Sequence, residues 1–291
     1  MRYGLLLVLC IVFGGCDSPV PAPQADIVVT TTMLGDMTRQ IAGDDFIVGC
    51  IMKPGGDPHL YQPTPADARM VAQSQMVVMS GLHLEGWIED LVRNAGGDPH
   101  VVIASKPVEP IRMKDAPGGV DPHFWFDAKA WSAAAGHVGK EMMLLSDDPN
   151  VRERIQLRTV SYQAKVVALD TWVRQRLRTV QPKQRVLITS HDAFNYFGAA
   201  YGIDVVGIQG TSTEQEASQR DVANIVDLVR ARNAPAVFVE SSVNPALIQQ
   251  VAREANIEVA GPLYSDSVGP VGSGAETYEG MMAENVRIIV K

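Results

Sequence analysis

Several things this sequence lacks narrow what it can be. Only three cysteines occur in 291 residues, which excludes a disulfide framework and a thiolate metal cluster. Positive charge is in deficit: 25 Lys and Arg against 33 Asp and Glu give a net charge of -8. Nucleic-acid binding requires clustered cations instead. The apolar run at residues 5–13 is about half of the roughly 20 residues that a membrane-spanning helix needs. No His-Glu-x-x-His sequence occurs, so the helical signature of many zinc hydrolases is missing. Between residues 150 and 179 there is neither glycine nor proline, and nothing in that stretch would break a helix.

What is present begins with a leader. Arg2 and the short apolar run read as a signal peptide over residues 1–15, removed from the mature protein. Gly14-Gly15-Cys16 resembles the lipobox of bacterial lipoproteins, in which the cysteine is acylated and becomes the new N-terminus. Phe13 departs from the leucine usual in that pattern, and an ordinary secretory signal is the alternative. Residues 16–25, with three prolines, read as a tether. With Cys10 in the leader and Cys16 the lipidation candidate, Cys50 stands alone in an apolar stretch and is expected to be a buried small hydrophobe.

From residue 26 to about 104, β-branched apolar runs alternate with helical patterns: strands at 26–32, 46–52, 75–80 and 100–104, helices at 34–42, 65–73 and 84–94. A further helix is expected over 127–145. The alternation resumes after residue 182, with strands at 185–190, 204–208, 236–240 and 258–261 and helices at 192–201, 214–232, 245–255 and 276–289. Such alternation implies parallel sheets covered on both faces. Between the two halves lies an unbroken helical run over about 149–179, roughly 45 Å if helical throughout. It lacks a sustained heptad pattern, which favours a rigid spine over a coiled-coil arm. The expected fold class is therefore α/β, with an N-terminal lobe (26–145), a connecting helix (146–181) and a C-terminal lobe (182–291), each lobe a parallel-sheet sandwich.

Six histidines carry the chemistry. The phrase Asp-Pro-His occurs three times, ending at His59, His100 and His123. Imidazole is a common metal ligand, and a neighbouring carboxylate can fix its tautomer. His59 follows a strand, at the carboxyl edge where α/β sheets collect ligands. His191 follows the strand at 185–190 directly. His100 leads into a strand and so falls at the opposite edge, although its pentapeptide copies the one ending at His59. His83 and His137 read as surface, capping or packing residues. His59, His123 and His191 remain, and a fourth donor is expected from the second lobe. Asp266, beyond the last strand, is at the right edge. Asp57 and Asp121 read as turn-forming residues or supports for the histidines beside them, or as bases if the site were catalytic.

These stretches resemble a known family. Pro54-Gly55-Gly56-Asp57-Pro58-His59, Gly81-Leu82-His83-Leu84-Glu85, Asp121-Pro122-His123-Phe124-Trp125-Phe126-Asp127, His191-Asp192-Ala193-Phe194-Asn195-Tyr196-Phe197, Gln209-Gly210-Thr211-Ser212-Thr213-Glu214 and Ser265-Asp266-Ser267 fall in the order seen in the metal-binding lipoproteins of bacterial ABC importers for zinc and manganese. The resemblance implies two α/β lobes joined by one long helix, with a single metal between them. Its metal ligands fall on His59, His123, His191 and Asp266, and the choice of Asp266 leans chiefly on it. It implies partners too: an ABC permease with its ATPase, the transported Zn2+ or Mn2+, and the membrane through the lipid on Cys16. No organic cofactor and no nucleic acid are expected, and the chain is expected to be a monomer. Its place would be the periplasm or the extracellular face of the cytoplasmic membrane.

Three imidazoles and one carboxylate suit tetrahedral zinc, and manganese prefers more oxygen. Manganese-dedicated members usually carry Glu where this chain has His191. Many dedicated zinc members have a His-rich loop before the second ligand, whereas residues 114–120 here contain no histidine. Zinc is expected first, with manganese close behind. A secreted zinc hydrolase is the alternative from another class, against which the fourth donor would fill the open position that catalysis needs. An adhesin role for a surface lipoprotein has no motif of its own.

Overall fold

A computed structural model of the chain describes residues 24–113, 119–214, 218–232, 234 and 236–291. The leader, the tether up to residue 23 and most of the histidine-free loop at 114–120 lie outside the described residues. Among those described, no helix is long and apolar enough to cross a membrane.

Two four-stranded parallel sheets form the frame. The first contains β1 (Ile27–Val29), β2 (Val48–Cys50), β3 (Met76–Met79) and β4 (His100–Ile103) in the order β2-β1-β3-β4. The second contains β5 (Val186–Thr189), β6 (Asp204–Gly207), β7 (Ala236–Glu240) and β8 (Glu258–Leu263) in the order β6-β5-β7-β8. The two lobes thus repeat one topology. In each, the chain leaves its first strand for one neighbour and returns to the other side, which opens a crevice beyond the carboxyl ends.

Alternation along the strands divides each sheet between two layers. Ile27, Val29, Met76 and Val78 face the central core, whereas Val28, Val77 and Met79 face an outer layer. Leu187 and Phe238 face the centre, and Ile188 and Val237 face the outer layer of the second lobe. This is the two-residue period of a strand buried on both faces. The helices α2 (Pro65–Gln73) and α3 (Ile88–Ala95) cover the first outer face. On the second, α7 (Gln219–Arg232) and α8 (Ala246–Ala255) do the same.

The central layer is shared. It joins α1 (Thr32–Ala42), α4 (Ala128–Met142), α5 (Pro149–Leu177), α6 (Asn195–Tyr201) and α9 (Tyr278–Ile289) in one apolar cluster. The helix starts follow from capping. Thr64 and Asp67 form a reciprocal capping box ahead of Pro65, and Asp127 and Asp148 accept from Lys129 and Asn150 N–H groups. The long helix α5 has 29 residues, about 43 Å. Its buried residues, Ile155, Thr159, Tyr162, Val166, Leu169, Val173 and Leu177, step by three and four. That regular stripe corrects the reading of no sustained pattern; exposed Leu157, Val160 and Val167 blur it in the sequence. The stripe lies on α4 closely enough that a Cβ on Gly139 would overlap the Thr159 side chain.

Several expected boundaries move: the strand expected over 26–32 ends at Val29, with α1 starting at Thr32, and that over 46–52 shortens to Val48–Cys50. The helix expected from residue 84 begins at Ile88, because Glu85 turns inward and accepts the Ser80 and Gly81 N–H groups while Leu82 and His83 adopt positive φ. The helix expected from residue 192 begins at Asn195, since the N–H groups of His191 and Asp192 bond to Glu240 and Gly210. The last strand runs past Gly261-Pro262 to Leu263 through an irregularity opposite β7. Cys50 is partly rather than fully buried, its thiol set against the Thr31 and Met52 carbonyls.

Candidate metal centre

All four candidate donors come to the crevice between the sheets. His59 lies in the loop between β2 and α2. His123 precedes the short helical turn Phe124–Phe126. His191 follows β5, and Asp266 follows β8. One nitrogen or oxygen from each lies within 4.8 Å of the other three, and among the described residues no other group of three or more His, Cys, Asp or Glu converges in this way. The imidazole centroids are 5.3 to 5.9 Å apart. His123 Nε2 and His191 Nε2 each lie 3.5 Å from an oxygen of Asp266. The Nε2 atoms of all three histidines and Asp266 Oδ1 are buried without a hydrogen-bond partner. Unpartnered buried polar atoms are costly, and four aimed at one point fit a cation that would satisfy them together. Zinc bonds of 2.0–2.1 Å require donors roughly 3.4 Å apart, so binding calls for a slight contraction.

The other side of three donors, His123, His191 and Asp266, is occupied. Asp121 Oδ1 lies 2.7 Å from His123 Nδ1 and accepts the His123 N–H at 2.9 Å. Glu240 Oε2 lies 2.6 Å from His191 Nδ1, and its Oε1 accepts the His191 N–H at 2.9 Å. Each carboxylate orients an imidazole so that Nε2 faces the centre. Ser242 and Ser265 donate to Asp266 Oδ2 at 2.9 and 3.1 Å. Asp57 does something else: Oδ1 accepts the His59 N–H, and Oδ2 takes the Thr213 hydroxyl.

The electrostatics follow from burial and from this ring of charge. Burial pushes the His59 imidazole down to about 4. At His191 burial acts in the same direction, but the Glu240 and Asp266 carboxylates overcome it and hold the imidazole well above its ordinary value. Burial raises the Asp266 carboxyl, and the positive charge of His191, with that of His123 and His59, brings it well below the usual carboxylate range. A divalent ion entering this dry site would meet Asp266 directly and two more carboxylates, Asp121 and Glu240, behind the imidazoles.

The remaining histidines stay away. His100 opens β4 at the amino edge, its side chain 44% exposed and its Nε2 2.8 Å from Glu141. His137 sits on α4 near the same Glu141, and His83 is exposed. Glu240 went unnoticed in the sequence, yet its position at the carboxyl end of an expected strand was the available signal.

Against this geometry, the comparisons with known proteins are decisive. Residues 27–291 match the model of the family described as zinc-uptake complex component A periplasmic, ZnuA. The chain belongs to this family. Among ZnuA-family relatives, it is 34% identical to the manganese-binding lipoprotein MntA of Bacillus subtilis, covering all of this chain and 99% of that one. It is also 34% identical to the zinc-binding protein TroA of Treponema pallidum, covering all of this chain and 95% of that one. The solved structure of TroA superposes with a TM-score of 0.86 at 33% identity, over 91% of this chain and 97% of that one. Membership in the ZnuA family makes the chain a binding component of a metal importer and not an enzyme. A hydrolase and a dedicated adhesin are not favoured.

Proposed function

We propose that this chain captures a divalent transition metal outside the cytoplasmic membrane and delivers it to an ABC permease driven by its ATPase. His59 and His123 would hold the ion from the first lobe, residues 26–145, and His191 and Asp266 from the second, residues 182–291. Residues 146–181 would join the lobes. Residues 1–15 would be a signal peptide and Cys16 the lipidated anchor, with the mature chain acting as a monomer. The observation that carries this reading is the convergence of four unpartnered buried donor atoms, three nitrogens and one oxygen.

Four protein donors leave no protein-assigned open position, so the site suits holding an ion better than activating water on it. Zinc is the first choice for this donor set, and the Irving–Williams order also places it above manganese. Relatives are named for both metals, MntA for manganese and TroA for zinc. Elemental analysis of protein purified from its native host without added metal, with an esterase and peptidase panel, tests the reading. One stoichiometric zinc or manganese without turnover supports it; metal-dependent hydrolysis contradicts it.

A further inference from the structure

The four donors are not held alike. His123, His191 and Asp266 are fully buried. Each of them adjoins a segment packed into the shared core. His59 is only partly buried, on a loop whose residues 53–55 and Leu60 are exposed. Among the described residues, two hydrogen bonds join that loop's backbone and Asp57 to the second lobe. Gly55 N–H donates to Ser267 Oγ at 2.7 Å, and the Thr213 hydroxyl donates to Asp57 Oδ2 at 2.6 Å.

The two bonds differ in kind. Ser267 also donates to the Val268 carbonyl and lies 3.2 Å from the Thr32 hydroxyl, in a knot that ties α1 to the second lobe. Asp57 instead divides its oxygens. Its Oδ1 accepts the backbone N–H of His59 at 2.9 Å, while its Oδ2 takes Thr213. One carboxylate therefore couples a second-lobe hydroxyl to the backbone of a metal donor. Asp57 and Thr213 stand on the wall of a cavity of about 420 Å³ between the lobes, together with Leu60 and Ser242. Ser242 bonds Asp266, so the cavity wall includes residues that bond two of the donors.

We propose that Thr213 is a positioning residue that latches the His59 loop closed, and that its bond to Asp57 sets how fast the ion leaves. The proposal rests on the capture-and-delivery reading above. A hydrogen bond to a carboxylate is strong enough to keep a loop closed most of the time, yet one such bond breaks far more readily than a packed interface. Parting the lobes would instead expose the apolar cluster that they share. Breaking the latch separates two side chains that already line the cavity. The ion then loses one donor out of four while the other three remain in place.

The test is the rate of zinc transfer from the full chain to an excess of chelator, for wild type, Thr213→Val and Thr213→Ser. Valine keeps the shape of threonine and removes the hydroxyl; serine keeps the hydroxyl. One ion per chain is expected in all three proteins. Release should be about tenfold faster from Thr213→Val and close to wild type from Thr213→Ser, with equal melting temperatures in the absence of metal. Wild-type release from Thr213→Val overturns the latch alone, and so does fast release from both variants, which would mark lost packing. A wild-type protein that takes up no stoichiometric ion overturns the capture reading and the latch together.

Discussion

Asp57 and Asp121 occupy the same place in two copies of one phrase and do different things. Both accept the N–H of the histidine two positions on, which is what Asp-Pro-His dictates locally. Only Asp121 also reaches the ring nitrogen of its histidine; Asp57 reaches across to Thr213 instead. His191, which lacks the phrase, has Glu240 in the orienting role. Glu240→Gln keeps an oxygen for the His191 N–H but removes the charge behind the ring. Zinc affinity, read by competition with a chromophoric chelator, should fall roughly 10- to 100-fold with the fold intact. Unchanged affinity would mean that Glu240 only supports the backbone.

At the scale of elements, the helix α1 carries a half-buried carboxylate that the site does not use. Asp36 accepts the Tyr278 N–H at the start of α9 and two contacts from Gln40. Burial, opposed by the bond from Tyr278, raises its carboxyl from 3.8 to about 6. The folded state therefore binds this proton more tightly than the unfolded chain. Its stabilising effect is complete below about 4 and is lost as pH rises through about 6. Against wild type, Asp36→Asn should lose that pH dependence and gain about 1–3 kcal/mol at pH 7. Urea unfolding of both proteins at pH 4.5 and 7.5 measures it, and parallel stability curves would contradict it.

Most elements were readable from the sequence because their signals are local. The interval 65–73 has proline at the first helical position and a capping box, and α2 occupies it as expected. The unbroken run after Pro149 produced α5. The failures came where backbone amides are taken by side chains, by Glu85 four and five residues on and by Glu240 from another strand. Nothing near Leu84 or Asp192 announces that Glu85 and Glu240 occupy the amides that a helix or a regular turn would otherwise arrange. The convergence of the candidate donors was legible by the same logic of edges: His59 and His191 from strand ends, His100 set aside because it begins a strand. Asp266 needed the family resemblance, since a carboxylate in a loop has no local signature.

For the whole molecule, the two sheets repeat one strand order without a visible sequence repeat, and an aromatic band fastens them. Phe126 packs on Phe194 at 4.3 Å between ring centroids, and Trp131 stacks on Tyr278 at 4.8 Å. Trp125 donates to the Ser265 carbonyl, and the Tyr278 hydroxyl donates to the Trp125 carbonyl. Exposing five such side chains would cost roughly 10 kcal/mol, comparable with the stability of a whole domain. That cost weighs against wide hinge opening as a release step, and the helix α5, packed along both lobes, adds to it. Solution scattering with and without zinc should show almost the same radius of gyration; a clear decrease on loading would contradict a fixed lobe arrangement.

The central claim is that one ion is held by donors from both lobes, with two of the three Asp-Pro-His copies taking part. Zinc titration followed by native mass spectrometry, with chelator competition for affinity, tests it on wild type, His123→Ala and His100→Ala. One tight ion is predicted for wild type and for His100→Ala, with severe loss for His123→Ala, whose Nε2 is among the buried unpartnered atoms at the centre. Equal losses in the two variants, or tight binding retained by His123→Ala, would contradict the account.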